Sequence, residues 1–241
     1  HVFVFDTAFH QTMTPESYIF PVPYEWYTED KVRRYGAHGT SHQYVSQRTA
    51  ELMGKDIADT RIITCHLGNG ASITAVKGGK CRCGDIDPSV ICHIMDKKGI
   101  SPKEMDTILN KKSGMLGVSG IYSDARDIED AVKQGNERAI LTQAVYVNRV
   151  INVVGGYVMQ MGGVDAIAFT AGLGENDTNL RHQILEKMEE CLGLSINYEL
   201  NDKTRGKEVC ISNPESKVQV YIVPTNEELV IARDTVRLLG L

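Results

Sequence analysis

The sequence predicts an α/β protein in which helices pack on a mixed sheet. Two stretches carry that prediction. Residues 164–170 form a short apolar run suited to a strand buried on both faces, and Gly172-Leu173-Gly174-Glu175-Asn176 turns it into a helix over residues 178–192. Residues 61–67, β-branched and apolar, are joined to residues 71–76 by Gly68-Asn69-Gly70, which reads as a hairpin. A strand fed into a helix and a strand folded back on its neighbour require a sheet of mixed direction.

The remaining elements follow in order. Val2-Phe3-Val4-Phe5 reads as an opening strand, and the chain begins at His1 without an initiator Met, so a fragment of a longer protein is expected. Pro15, Pro21 and Pro23 then interrupt regular structure among Tyr18, Phe20, Tyr24, Trp26 and Tyr27, giving an irregular packed loop. Residues 41–53 read as a helix capped by Thr40 or Ser41 and ended by Gly54. Ser101-Pro102-Lys103-Glu104 is a capping box with proline at the first helical position. Met105, Ile108 and Leu109 supply that helix's apolar stripe before Gly114 stops it. Ser123 is expected to cap a helix running to Gln134, and residues 136–161 a long apolar helix broken near Gly155-Gly156. Residues 217–223 form the last strand, and Thr225-Asn226-Glu227-Glu228 reads as a second capping box opening a terminal helix to Leu239.

Composition narrows the function. The length, 241 residues, suits one large α/β domain or two small ones. A net charge of -5 with scattered basic residues offers nucleic acid or anionic membrane no electrostatic footprint, so neither is expected as a partner. No apolar run approaches the roughly 20 residues that span a bilayer. Six cysteines are too few for a disulfide scaffold at this length, which points to a reducing cytoplasm. Cys81, Cys83, Cys92 and His93 lack the spacing of a four-ligand zinc site.

The two glycine turns each follow a buried strand, and backbone without side chains lets N–H groups approach phosphate oxygens. Neither turn matches the P-loop or the dinucleotide fingerprint. Conspicuous polar residues accompany them: Asp6, His38, His66, Arg82, Asp124, Arg126 and Glu227. Phosphoryl transfer uses such types, with cations for the equatorial oxygens, carboxylates for magnesium and backbone amides for the nucleotide phosphates.

Seven ordered strings sharpen this. Residues 5–13 (FDTAFHQTM), 35–42 (YGAHGTSH), 65–72 (CHLGNGAS), 84–88 (GDIDP), 123–127 (SDARD), 169–176 (FTAGLGEN) and 224–228 (PTNEE) resemble the acetate kinase family in order and spacing, nearly end to end. The resemblance implies a ribonuclease H-like fold of the acetate and sugar kinase, Hsc70 and actin superfamily. ATP would lie in a cleft between two related domains with Mg2+ as cofactor. Residues 1–241 would then be the C-terminal, nucleotide-binding and dimerising domain, with the N-terminal domain absent. By matching motif, Asp6 resembles the family's active-site aspartate, His38 and Arg82 its transition-state stabilisers, and Glu227 its magnesium ligand. His66, Leu67, Gly68, Asn69 and Gly70 resemble one ATP-binding segment, Asp124, Ala125 and Arg126 a second, and Gly172, Leu173, Gly174, Glu175 and Asn176 a third. The expected partners are ATP or ADP, acetate or acetyl phosphate, and a second copy of the chain as a homodimer.

Acetate is already ionised at pH 7, so a general base has little to do and Asp6 is expected to orient magnesium or the in-line geometry. Glu228, three residues after Thr225, would fold back on the helix terminus and leave Glu227 for the metal. Two departures from the family pattern stand out. The family carries a further stretch between the positions of Cys81 and Arg82, so a loop is missing there. Ala37 replaces a phenylalanine that lines the acyl pocket, which enlarges the pocket and leaves a propionate or butyrate kinase as the alternative. A nucleotide-binding and dimerising fragment without activity is the other.

Overall fold

The computed structural model describes residues 2–20, 23–68, 70–77, 79–81 and 88–240. Along the chain, short helices α1 (Pro15–Tyr18) and α2 (Tyr24–Thr28) precede α3 (Gly39–Leu52). Strands β1 (Ile62–Leu67), β2 (Ala71–Val76) and β3 (Gly79–Cys81) follow, then helices α4 (Pro88–Lys98), α5 (Pro102–Lys111), α6 (Gly114–Ser119), α7 (Ala125–Lys133) and α8 (Glu137–Met161). After β4 (Ala166–Thr170) come α9 (Ala171–Asn176), α10 (Thr178–Glu186), α11 (Glu189–Leu192) and α12 (Tyr198–Lys203). Strands β5 (Val209–Cys210) and β6 (Gln219–Ile222) lead into α13 (Glu227–Leu239).

The chain forms two compact units. The larger joins the chain through β3 with everything from Val150 onward and contains one sheet in the order β3-β2-β1-β4-β6-β5. Strands β1, β4 and β6 run parallel, while β2, β3 and β5 are antiparallel to their neighbours. This is the mixed, ribonuclease H-like sheet expected from the family resemblance. Its parallel centre is buried on both faces. Ile62, Ala166, Ala168 and Tyr221 pack with Val45 and Ala50 of α3, while Ile63, Leu67, Ile167, Phe169 and Ile222, pointing the other way, are equally buried. Burying each large apolar side chain contributes about 1.5–3 kcal/mol. The smaller unit has its own cluster, Ile128, Ala131 and Ala139, and the Ser101–Glu104 capping box opens α5 as expected.

Several local expectations are corrected. Residues 2–5 join no strand, and Phe3 and Phe5 are exposed; β-branched and aromatic residues alone do not make a strand without a neighbour to take its N–H groups. Helix α3 begins at Gly39 with His38 as N-cap, because the Thr40 and Ser41 hydroxyls bond elsewhere. Asp124, one residue after the expected Ser123, caps α7 by accepting from the Arg126 N–H. Gly114 opens α6 instead of merely stopping α5, which ends at Lys111. Helix α8 runs unbroken through Gly155 and Gly156, since glycine costs a helix only about 1 kcal/mol and the flanking turns are long. The helix expected over residues 178–192 divides at Lys187, with Met188 drawn into the core. The glycine segment after β4 is a helical turn, entered through Ala171 at φ +64°. Asn226 Oδ1, the stronger cap, takes the Leu229 N–H at 3.0 Å, so Thr225 and Glu228 form no capping box.

Candidate active site

In an open parallel sheet, ligands gather beyond the carboxyl ends of the strands. Here β1 and β4 are parallel neighbours, with His66 level with Thr170. Their two glycine segments therefore emerge side by side. A Cβ added to Gly68 would lie 3.4 Å from the Ala171 Cβ and 3.8 Å from the Gly172 nitrogen. Leu67 is fully buried beneath this ledge. Gly174 is buried too, and an added Cβ would lie 3.3 Å from the Phe169 backbone and 3.4 Å from the Cys65 carbonyl, so a side chain fits only if its neighbours give by a few tenths of an ångström. Gly172 and Asn176 are exposed, Leu173 is half-buried, and Asn176 Nδ2 donates to the Gly172 carbonyl at 3.0 Å.

Glu175 holds this ledge together. Its Oε1 accepts from the Ala171 N–H at 2.8 Å, the Thr170 hydroxyl at 3.3 Å and the Thr225 N–H at 3.3 Å. One carboxylate thus pins the left-handed Ala171 and ties the end of β4 to the segment entering α13. Beneath it, the fully buried Arg181 donates to the Gly174 carbonyl, to the Asn201 side-chain and backbone oxygens, and to the Thr204 carbonyl. Burial lowers the Arg181 pKa to about 10, which leaves the guanidinium charged at neutral pH.

Around the start of α3 the structure gathers residues that the sequence holds far apart. Asp6 Oδ2 accepts from the His38 N–H at 2.7 Å and its backbone carbonyl from the Gly39 N–H at 2.8 Å. These bonds hold His38 at φ +53°, a conformation non-glycine residues adopt only under constraint. The Thr40 hydroxyl lies 3.2 Å from Asp6 Oδ1 and 3.4 Å from Glu227 Oε2. A hydroxyl carries a single hydrogen, so it satisfies one of these carboxylates at a time.

The His38 ring stacks on His66 with centroids 4.0 Å apart and planes 10° off parallel, and its Nδ1 is 2.7 Å from Ser72 Oγ. His66 Nδ1 is 2.8 Å from Ser41 Oγ. His66 is only 9% exposed; burial first, then the neighbouring His38, lowers its pKa to about 4. It is neutral at pH 7, so the stacked pair carries at most the charge of His38. A Cβ on Gly70 would stand 3.2 Å from His38 Nε2, which opens that nitrogen onto the first glycine turn.

Of the residues singled out in the sequence, Asp6, His38, His66, Gly68, Gly70, Gly172, Glu175 and Glu227 thus lie in the larger unit around the ends of β1, β4 and β6. Asp124, Ala125 and Arg126 belong to the smaller unit. There Arg126 forms an ion pair with Asp124 at 2.6 Å, and its hydrogen bonds lower the Asp124 pKa to about 2. Asn69 and Arg82, and the junction after Cys81, lie outside the described residues. Thr40 and Ser41 read in the sequence only as helix caps, and His42, Thr64 and Ser72 go unassigned there. Their signal is polar residues at period two on β1 (Thr64, His66) and β2 (Ser72, Thr74), facing His38 and His42 at helical spacing. Among the described residues no cluster of three metal-ligating side chains occurs, and no helix is long and apolar enough to cross a membrane.

The family model for the acetokinase family matches residues 1–233. The chain belongs to the acetokinase family. Among curated acetokinases, it is 53% identical over 252 residues to the acetate kinase of Clostridioides difficile and 52% identical to that of Geobacillus kaustophilus, covering 98% and 100% of this chain. It spans only 63% and 64% of those relatives' own length. Among solved structures, Porphyromonas gingivalis acetate kinase superposes with a TM-score of 0.93 at 47% identity, over 98% of this chain and 63% of its own. A propionate kinase from Francisella tularensis follows at 0.87 and 37%, over 96% and 62%.

Proposed function

We propose that the protein is an acetate kinase. A carboxylate oxygen of acetate attacks the γ-phosphorus of ATP in line, the bond from that phosphorus to the β,γ-bridging oxygen breaks, and acetyl phosphate and ADP form reversibly. The observation that carries this reading is the convergence of His38, Asp6 and Glu227 on the start of α3, beside two abutting glycine segments. Phosphoryl transfer asks the protein chiefly for position and charge. His38 Nε2 faces the Gly70 turn, where it can meet equatorial oxygens of the transferring group, and Arg82 is assigned the same task on its motif. The N–H groups beside Gly68 and Gly172 take the nucleotide phosphates. Asp124, Ala125 and Arg126 enter this reading on their motif alone.

The donor set fits Mg2+. Asp6 and Glu227 present two carboxylates that share one hydroxyl hydrogen, an arrangement a hard cation would relieve, and magnesium is commonly held by one or two carboxylates with phosphate oxygens and water completing its shell. When bound, Mg2+ neutralises phosphate charge. Asp6 also holds the left-handed backbone of His38, and so orients without abstracting a proton. Glu227 remains the ligand of choice although Asn226, not a capping box, opens α13.

The homodimer is supported by the family resemblance and by Val236, Leu238 and Leu239, which α13 leaves exposed. A cytoplasmic setting is supported by Cys65, Cys92, Cys191 and Cys210, which form no disulfide among the described residues. That a stretch is missing, placed before Arg82 by the family resemblance, is supported by an alignment of 252 residues, longer than the chain itself.

A propionate kinase is the second reading, motivated by the Francisella structure and by Ala37, a buried alanine where the family resemblance implies a usual phenylalanine. Specificity constants for acetate, propionate and butyrate, measured with the full-length protein by coupling ADP release, separate the two. Preference for acetate is expected; a higher constant for propionate replaces the first reading by the second, and no transfer to any of the three overturns both.

A further inference from the structure

We infer that Thr64, His42 and Ser72 form a directional hydrogen-bond chain that fixes the tautomer of His38, keeping a proton on Nδ1 and presenting Nε2 to the site. The chain starts from a backbone oxygen. The Thr64 hydroxyl donates to the Thr74 carbonyl at 3.4 Å, which spends its single hydrogen. With that hydrogen on the Thr74 carbonyl, Thr64 Oγ1 accepts across the 2.7 Å to His42 Nδ1, which places the His42 proton on Nδ1. His42 is fully buried between two hydroxyls, neither of which carries a charge to pair with an imidazolium. Its Nε2 is then an acceptor, 2.7 Å from Ser72 Oγ, and takes the serine hydrogen. With that hydrogen committed, Ser72 can only accept across the 2.7 Å to His38 Nδ1, which must donate. Each donor choice follows from the one before it, and Thr64, Thr74, His42 and Ser72 are all buried, so water does not scramble the order.

The consequence lies at the far nitrogen of His38. In the neutral ring Nε2 holds a lone pair; it gains an N–H only when the ring becomes the imidazolium. On the phosphoryl-transfer reading, on which this consequence rests, the atom facing the phosphoryl group becomes a donor and the ring becomes cationic in one protonation, and a neutral donor is excluded. Stacking on His66, itself held by Ser41, fixes the plane of the ring. Thr64, His42 and Ser72 are thus positioning residues that touch no substrate.

Nitrogen-15 NMR of histidine-labelled full-length protein tests this without any activity measurement, with His38→Gln identifying the resonances. In the wild type, at a pH where His38 is neutral, Nδ1 is expected to bear the proton; a proton on Nε2 of the neutral ring overturns the inference whatever the variants do. In Ser72→Ala the preference is expected to shift toward Nε2–H, with kcat for phosphotransfer falling about tenfold and KM for ATP unchanged, as for loss of one buried hydrogen bond. Ser72→Thr, which keeps the hydroxyl, is expected to retain both the wild-type tautomer and kcat to within about twofold. An unchanged tautomer in Ser72→Ala, or a Ser72→Thr protein behaving like the alanine variant, also overturns it. Should Ser72→Ala fail to fold, the wild-type and threonine spectra decide. The wild-type tautomer on a protein that phosphorylates no carboxylate would support the chain while removing the proposed function.

Discussion

Acidification should destabilise this protein through His66. Its folded pKa is lowered from 6.5 to about 4, chiefly by burial and next by His38. The unfolded chain therefore takes up a proton on His66 at a pH where the folded chain does not. The contribution to stability is intact above the unfolded value, declines as pH falls through 6.5, and is fully lost only near the folded value of about 4. Between about pH 7 and about pH 5 the loss from this one group is about 2 kcal/mol. Other groups titrate in the same range, so the informative quantity is the difference from His66→Gln, which cannot take up that proton. Urea unfolding of both proteins across this interval should show the wild type losing about 2 kcal/mol more than the variant. Parallel losses would refute the reasoning, because they would mean His66 protonates as readily folded as unfolded.

Glu175→Ala removes the acceptor of three bonds at the ledge and should lower stability by about 2–4 kcal/mol in the absence of nucleotide, with Glu175→Gln costing about half as much; urea unfolding of nucleotide-free protein measures both. Arg181→Met leaves the Gly174, Asn201 and Thr204 oxygens without their donor and should cost about 3–5 kcal/mol by the same measurement, while ATP affinity weakens because Gly174 is one of the freed carbonyls. Ser101→Ala breaks the capping box of α5, and helix or thermal stability should fall by about 1 kcal/mol, with phosphotransfer unchanged.

What the sequence discloses is largely what local pattern controls. The hairpin of β1 and β2, strand β4 and the Ser101 cap are legible because β-branched runs, glycine turns and capping pairs act within a few residues. The order of the sheet is not, since the parallel pairing of Ile62 with Ala166 joins residues a hundred positions apart. The start of α3 misleads for a chemical reason: Thr40 and Ser41 look like caps, but Thr40 serves Asp6 and Glu227 while Ser41 serves His66. The left-handed Ala171 is invisible for another, because an alanine there is held by the Glu175 carboxylate instead of by the freedom of glycine. In the candidate site, Asp6, His38 and Glu227 stand out by motif. The hydroxyls behind them are not, because Thr64 and Ser72 resemble ordinary strand residues until the fold turns both onto the face beneath His42.

The account stands on Asp6, His38 and Glu227 forming one phosphoryl-transfer centre, and acetyl phosphate formation by full-length Asp6→Asn and Glu227→Gln proteins, followed across a magnesium titration, tests it. Both variants should fold as the wild type does and lose about a hundredfold or more in kcat, with Glu227→Gln also demanding more magnesium for half-maximal rate. Wild-type turnover with wild-type magnesium dependence in either variant would contradict the assignment of these carboxylates to the reaction.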